Sequence, residues 1–322
     1  MALLPALTVT VVFSAYALAL LTEAASMAVF TTAQGVTELI AARVVQGLAT
    51  GVATGAAGLL LPPEAAWLRP DFADVGTLLL ASHTFAVETG GLRILVDTGI
   101  GNGKTRANPA WNGLGTDYLQ RLTDAGFPPD SVDLVITTHL HTDHVGWNTH
   151  LVDGNWQPTF PHARYLTSRT EWGHWARAEM DEARRQMFRD SVDPVRDSGQ
   201  YDPVDVPDQG HEVADGIRLV PAPGHTPGQV AVELRGTDRA ALITGDSIHR
   251  PVQLSHPHLT SCVDTDAQQA VRTRARLLEQ LADTDSLLLG THFPDPTAGT
   301  VRSDGGRFRL YQEPGTETEG TY

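Results

Sequence analysis

Cysteine is nearly absent: the 322-residue chain has one, Cys262, which excludes an intramolecular disulfide framework and fits a reducing compartment. Basic residues are also scarce, with 23 Lys and Arg against 38 Asp and Glu, for a net charge of −15. Nucleic-acid binding draws on clustered Lys and Arg, so this balance argues against a DNA or RNA partner and reads as an acidic, solvated surface. No Lys or Arg precedes the first apolar run, as the n-region of a signal peptide would require. The glycine-rich stretch 99–103 reads as a loop rather than a nucleotide-binding one.

Charge is missing altogether from residues 2–22, a run long enough to cross a bilayer as a helix. A second run, 40–61, is interrupted by Arg43 and Gln46 and gives a weaker membrane signal. Within this region Ala41-Ala42-Arg43-Val44-Val45-Gln46-Gly47-Leu48-Ala49-Thr50-Gly51 and Val11-Val12-Phe13-Ser14-Ala15-Tyr16-Ala17-Leu18 resemble membrane helices of major-facilitator transporters. Sixty residues cannot build a transporter, whose site lies between many helices. The expectation is a hydrophobic helical segment over 1–61, a hairpin attaching the protein to a membrane through residues 4–60. Pro62-Pro63-Glu64 and Pro70 mark a linker over 62–74, so the second domain is expected over 62–322. Two crossings would return that domain to the side of the N-terminus, expected to be the cytoplasm.

Beyond the linker the pattern is α/β. Runs at 77–87 and 92–97 read as strands joined at Gly90-Gly91, and 132–138 and 163–166 read as further strands. Segments 111–125 and 169–189 read as helices, and 211–220, 229–234 and 239–244 as a meander. Apolar spacing at Ala267, Ala270, Val271, Ala275, Leu278 and Ala282 predicts a helix capped by Asp264 or Thr265.

The densest signal is Thr138-His139-Leu140-His141-Thr142-Asp143-His144, which puts three histidines and an aspartate in six positions directly after an apolar strand. Imidazole and carboxylate are the donors that zinc and neighbouring divalent metals take. Three other donors also follow short apolar or turn segments: His225 in Pro223-Gly224-His225-Thr226-Pro227-Gly228, Asp246 after Leu242-Ile243-Thr244-Gly245, and His292 after Gly290-Thr291. Strand ends are where distant segments converge on a rigid base.

On these ordered motifs the chain, from about residue 72 onward, resembles the metallo-β-lactamase superfamily of dinuclear metal hydrolases. The resemblance implies an αββα sandwich and two divalent metal ions, zinc foremost. It implies that His139, His141 and His225 bind one metal, that Asp143, His144 and His292 bind the other, and that Asp246 bridges them. It also implies a metal-bridging hydroxide that cleaves a small-molecule ester, lactone, amide or phosphotriester, with Asp143 relaying a proton. Asp97, in Asp97-Thr98-Gly99, would accept a hydrogen bond from a ligand histidine.

Two departures bear on the branch. Cys262 does not stand in a ligand motif, and His249 occupies the position where lactonases of the superfamily typically carry tyrosine. His249 and His256 are candidates to meet substrate, His83 reads as structural, and His150, His162, His174, His211 and His258 read as surface positions. Trp111 and Trp147 could wall the pocket or pack the core. The same scaffold also serves mononuclear-iron dioxygenases of persulfides, which use two histidines and one carboxylate. A membrane-tethered domain with a vestigial site is the non-enzymatic alternative, against which the intact donors argue.

Overall fold

Two β-sheets carry the architecture of this computed structural model, which describes residues 67–69, 71–74 and 77–312. The expected segment 1–61, its transporter-like stretches and the boundary at 61/62 lie outside the described residues. Among the described residues no helix is long and apolar enough to cross a membrane. A first unit ends at Leu79 and contains a short antiparallel pair, Ala73–Asp74 with Thr77–Leu78. The second unit begins at Leu80 and holds every element that follows.

The first sheet comprises β1 (Phe85–Thr89), β2 (Leu92–Val96), β3 (Leu134–Ile136), β6 (Arg164–Ser168) and β7 (Tyr201–Val204), in the order β1-β2-β3-β6-β7. The intervening β4 (Thr149–Val152) and β5 (Asn155–Pro158) form a separate hairpin. Gly90 and Gly91, at φ 56° and 81°, supply the two left-handed residues a tight hairpin turn demands, so β1 and β2 are antiparallel. The remaining pairs in this sheet are parallel. The second sheet runs in chain order through β8 (His211–Ala214), β9 (Ile217–Pro221), β10 (Val230–Arg235), β11 (Ala240–Ile243), β12 (Leu287–Leu289), β13 (Ala298–Asp304) and β14 (Arg307–Tyr311). Only β11 and β12 pair in parallel there.

Alternation along the strands divides the core into layers. Ile94, Val96, Leu134, Ile136 and Leu166 of the first sheet meet Ile217, Leu219, Val230, Val232 and Ile243 of the second. The opposite face of the first sheet turns Leu95, Val135 and Tyr165 toward Leu122 and Phe127, and so toward α1 (Tyr118–Asp124). Beyond the second sheet, after the short α5 (Val252–Ser255), α6 (Ala267–Leu281) buries Ala270, Leu277, Leu278 and Leu281. Helix, sheet, sheet, helix is the expected αββα order.

Several boundaries differ from the sequence reading. The helix expected from 111 starts only at Tyr118, because Gly113, at φ 65°, turns the chain before it. The strand expected over 77–87 is split, and the one over 211–220 turns at Gly216. Segment 169–189 is not one helix but α2 (Arg169–Trp175) and α3 (Glu182–Met187), continued by a π-turn at Phe188–Val192 and α4 (Asp193–Asp197). Asp181 starts the second helix by accepting from Arg184 N at 2.7 Å, a cap that periodicity alone conceals.

Gly103-Lys104-Thr105 has the last three residues of a phosphate-loop pattern, but Thr98 stands where that pattern needs its first glycine. Lys104, the one lysine of the chain, is instead buried. Its Nζ donates to Thr149 Oγ1 at 2.7 Å and to the Asp190 carbonyl at 2.8 Å, and lies 3.9 Å from the Trp156 ring centre. Arg106 takes the Asp190 carboxylate bidentately, at 2.8 and 2.9 Å. This cluster ties the loop after β2 to the β4–β5 hairpin and to the π-turn.

Burial lowers the Lys104 ammonium to about 7, against the pull of Asp190. Between that value and the unfolded value of about 10.4 the unfolded chain binds more protons, so folding stability rises with pH across this window. Wild type should therefore gain on Lys104→Met, on the order of 1 kcal/mol per pH unit from pH 7 to 9. Urea midpoints of the two proteins across that range measure it, and a pH-independent difference would show that the ammonium keeps its ordinary pKa.

Candidate metal centre

Parallel strands lay their C-terminal ends side by side, and those ends carry the donors. Asp97 follows β2, Thr138 to His144 follow β3, Asp246 follows β11 and His292 follows β12. His225 arrives on the loop between β9 and β10. That loop approaches its neighbours closely: a side chain on Gly224 would lie 2.3 Å from the Ala270 nitrogen of α6. Gly224 also has φ 136°, so glycine is required there on both counts.

The structure brings all seven sequence-predicted donors into two adjoining groups. His139, His141, His225 and Asp246 form one, and Asp143, His144 and His292 the other, with one donor atom from each residue within 4.8 Å of the rest of its group. Asp246 stands between them. Its Oδ2 is 3.7 Å from His139 Nε2 and 3.3 Å from His225 Nε2, while its Oδ1 is 3.2 Å from His144 Nε2 and 3.0 Å from His292 Nε2. Asp143 Oδ2 lies 3.6 Å from His292 Nε2.

The other ring nitrogen of each histidine explains its orientation. His144 Nδ1 donates to Asp97 Oδ2 at 2.9 Å, His225 Nδ1 to Asp264 Oδ1 at 3.0 Å, and His292 Nδ1 to the Ala81 carbonyl at 2.7 Å. Thr138 Oγ1 donates to Asp97 Oδ2 at 2.8 Å and so accepts from His139 Nδ1 at 3.2 Å. With the proton fixed on Nδ1, the Nε2 lone pair of these four rings points inward. His141 is reversed: its Nδ1 faces His225 Nε2 at 2.9 Å.

Such a cluster fits a cation better than it fits itself. His139 Nε2, His144 Nε2 and Asp246 Oδ1 are buried without a hydrogen-bond partner, which is costly for polar atoms left unsatisfied. Burial pushes His139 and His141 well below the usual imidazole range, aided at His139 by His144 and at His141 by Arg184, so both stay neutral donors. Burial opposes charge on Asp246, but His292 and His144 outweigh it and hold the carboxyl well below the usual carboxylate range. Burial likewise disfavours charge on His144 and His292, and Asp246 overrides it, raising His144 well above the usual range and His292 to about 8. A divalent ion would displace those protons, as metals do at imidazole sites.

Other expectations sort cleanly. Asp97 is buried at φ 55° and accepts from Thr138 N, Thr138 Oγ1 and His144. His249 joins the cluster, its ring parallel to His292 at 6.0 Å and its Nε2 3.3 Å from Asp246 Oδ2. His256 does not, lying instead beside His258 and Arg307. His83 donates to the Gly290 carbonyl, and burial lowers its pKa to about 4, as a structural residue. His162 and His258 are exposed, while His150, His174 and His211 are half-buried. Trp147 is buried and stacks on Tyr118, a core role, and Trp111 is half-buried. Neither of the expected caps, Asp264 or Thr265, starts α6. Asp266 caps α6, while Asp264 orients His225, and two aspartates flanking one candidate cap were the only signal. The sequence reading also missed Glu171, which lay inside an apparently exposed helix.

Comparison with known proteins agrees with this geometry. Residues 78–292 match the family model described as the metallo-beta-lactamase superfamily. Metallo-beta-lactamase domain-containing protein 1 of Xenopus laevis is 30% identical over 176 residues, which cover 54% of this chain and 58% of that protein. An N-acyl homoserine lactonase of Bacillus thuringiensis is 26% identical over 156 residues, covering 45% of this chain and 54% of its own. The chain thus spans little more than half the length of these two relatives. In fold, it is similar to AidC, a dizinc quorum-quenching lactonase, with a TM-score of 0.61 at 24% identity over 73% of this chain and 80% of that one. With two thirds of the sequence inside the family match and the donors of every motif converging, the chain belongs to the metallo-beta-lactamase superfamily.

Proposed function

We propose that the protein is a dizinc hydrolase of small esters, lactones, amides or phosphotriesters, with His139, His141 and His225 on one ion, Asp143, His144 and His292 on the other, and Asp246 on both. The observation that carries this reading is Asp246, whose two carboxylate oxygens each face a different set of histidines. When bound, two divalent cations lower the pKa of water toward about 7 and polarise a carbonyl or phosphoryl oxygen. No serine or cysteine nucleophile is then needed.

Asp143 is the carboxylate with reach to an incoming substrate. Its side chain is 13% exposed against 5% for Asp246. It is assigned to orient the attacking water and to pass a proton to the leaving group. The His249 side chain is 14% exposed, and neither of its buried ring nitrogens makes a hydrogen bond. It is assigned to donate to a substrate oxygen. The lactonase relative and fold neighbour support the ester and lactone part of the range.

Metal-stripped protein titrated with zinc should take up two ions per chain and then hydrolyse at least one member of a panel of lactones, aryl esters, β-lactams and phosphotriesters. Retention of a single tightly bound iron, with no second ion on reconstitution, would replace this reading with the dioxygenase one.

Removing the shared carboxylate should separate the two sets. Asp246→Ala is expected to lose the second equivalent of metal and to lower kcat on the order of 100-fold or more, with its far-ultraviolet circular dichroism unchanged. Unaltered metal content and kcat would show that Asp246 is not shared.

A further inference from the structure

Ser168-Arg169-Thr170-Glu171 has the spacing of a capping box at the start of α2, and Ser168 behaves accordingly, its Oγ accepting from Glu171 N at 3.0 Å. In such a box the glutamate reaches back to the backbone of its own helix. Glu171 does not. Its side chain is completely buried and points at the metal loops.

Oε1 accepts from Leu140 N at 3.0 Å and from Trp175 Nε1 at 2.6 Å. Oε2 accepts from Thr226 Oγ1 at 2.7 Å and from Gly228 N at 3.2 Å. Leu140 lies between His139 and His141, and Thr226 follows His225. A single carboxylate therefore spans the two loops that carry the three histidines of one donor set. Ser168 adds a second tie, donating to the Gly228 carbonyl at 2.6 Å. Gly228 is glycine because α2 lies against it: a side chain there would come within 2.0 Å of Glu171 N. Trp175, held by the same carboxylate, sets its ring 5.8 Å from that of His141.

We infer that Glu171 is a positioning residue for the first metal site, fixing the His139–His141 loop and the His225 loop at the separation that lets their three imidazoles share one ion. This rests on the dinuclear reading above. A buried carboxylate bonded only to neutral donors is retained at a cost, since an uncompensated charge is expensive to bury. Four donors, two of them backbone amides on the metal loops, offset that cost only while both loops hold their places.

The geometry makes Glu171→Gln informative. An amide has one acceptor oxygen and one NH2 group. With the oxygen at the Leu140 and Trp175 end, the NH2 can donate to the Thr226 hydroxyl but faces the N–H of Gly228; reversed, it faces the N–H groups of Leu140 and Trp175, neither of which accepts. The first orientation deprives the His225 loop of its Gly228 bond, and the second frees the His139–His141 loop altogether. Stepwise zinc affinities, measured by competition with a chromophoric chelator, should fall 10- to 100-fold at one of the two sites in Glu171→Gln and hold at the other, the size seen when partners of metal ligands are removed. Thr226→Val, which deletes one bond and keeps the shape, should shift the same step several-fold. Trp175→Phe leaves both loop ties in place and should stay within about twofold of wild type.

Wild-type affinities in both Glu171→Gln and Thr226→Val would overturn the inference, as would an equal loss at both sites or an equal loss in Trp175→Phe. If Glu171→Gln does not fold, Thr226→Val decides alone. Wild-type protein that binds fewer than two ions would instead overturn the dinuclear reading.

Discussion

Five imidazoles and two carboxylates share one small, buried space, and each of these histidines turns a ring nitrogen toward the others or toward Asp246. Asp246 draws protons to His144 and His292, but His139, kept neutral by burial, leaves its Nε2 without a partner, and each buried polar atom left bare costs about 1–3 kcal/mol. The surrounding fold has to hold the donors together against this cost until a cation supplies the missing positive charge. Strand ends do the coarse work, because parallel β2 and β3, and β11 and β12, deliver their loops at fixed spacing.

The fine work belongs to acceptors behind the rings. Asp97 serves His144 directly and His139 through Thr138, Asp264 serves His225, and the Ala81 carbonyl serves His292. Each fixes a ring plane and holds Nδ1 outward, so that Nε2 is the nitrogen turned toward the cluster. Asp97 bears two of these duties from a left-handed backbone conformation, a strain of the kind that persists where surrounding contacts over-determine it. Glycine at 224 and 228 lets the His225 loop press against α6 and α2, which bring Asp264 and Glu171 within reach.

The donors and the helices beside them come from different parts of the fold. The donor set and its acceptors stand on loops at the ends of the two sheets. The helical segment from α2 to α4 instead flanks the site. Within it Trp175 edges His141, and the Arg184 guanidinium lies 4.4 Å from the Trp175 ring centre and donates to the Leu140 carbonyl. These contacts brace the His139–His141 loop from outside the two sheets.

The sequence by itself determined the donors. Histidine and aspartate at 139, 141, 143 and 144 can be read from spacing because one loop supplies them, and His225, Asp246 and His292 because each follows its own short strand or turn. The hairpin at Gly90-Gly91 and the helix over Ala267–Leu281 were legible for the same reason: turn chemistry and periodicity are local. Only the tertiary structure decided which aspartate caps α6 and which orients His225, since Asp264 and Asp266 are equivalent in sequence and differ only in what lies across from them. It also decided that the glutamate of an apparent capping box is spent on loops 31 and 55 residues away, and that the glycine-rich loop ends in a buried ion cluster rather than a phosphate cradle. A partner chosen across a fold leaves no period and no spacing in the chain, because its distance is set by the packing of two sheets rather than by the pitch of one helix or strand.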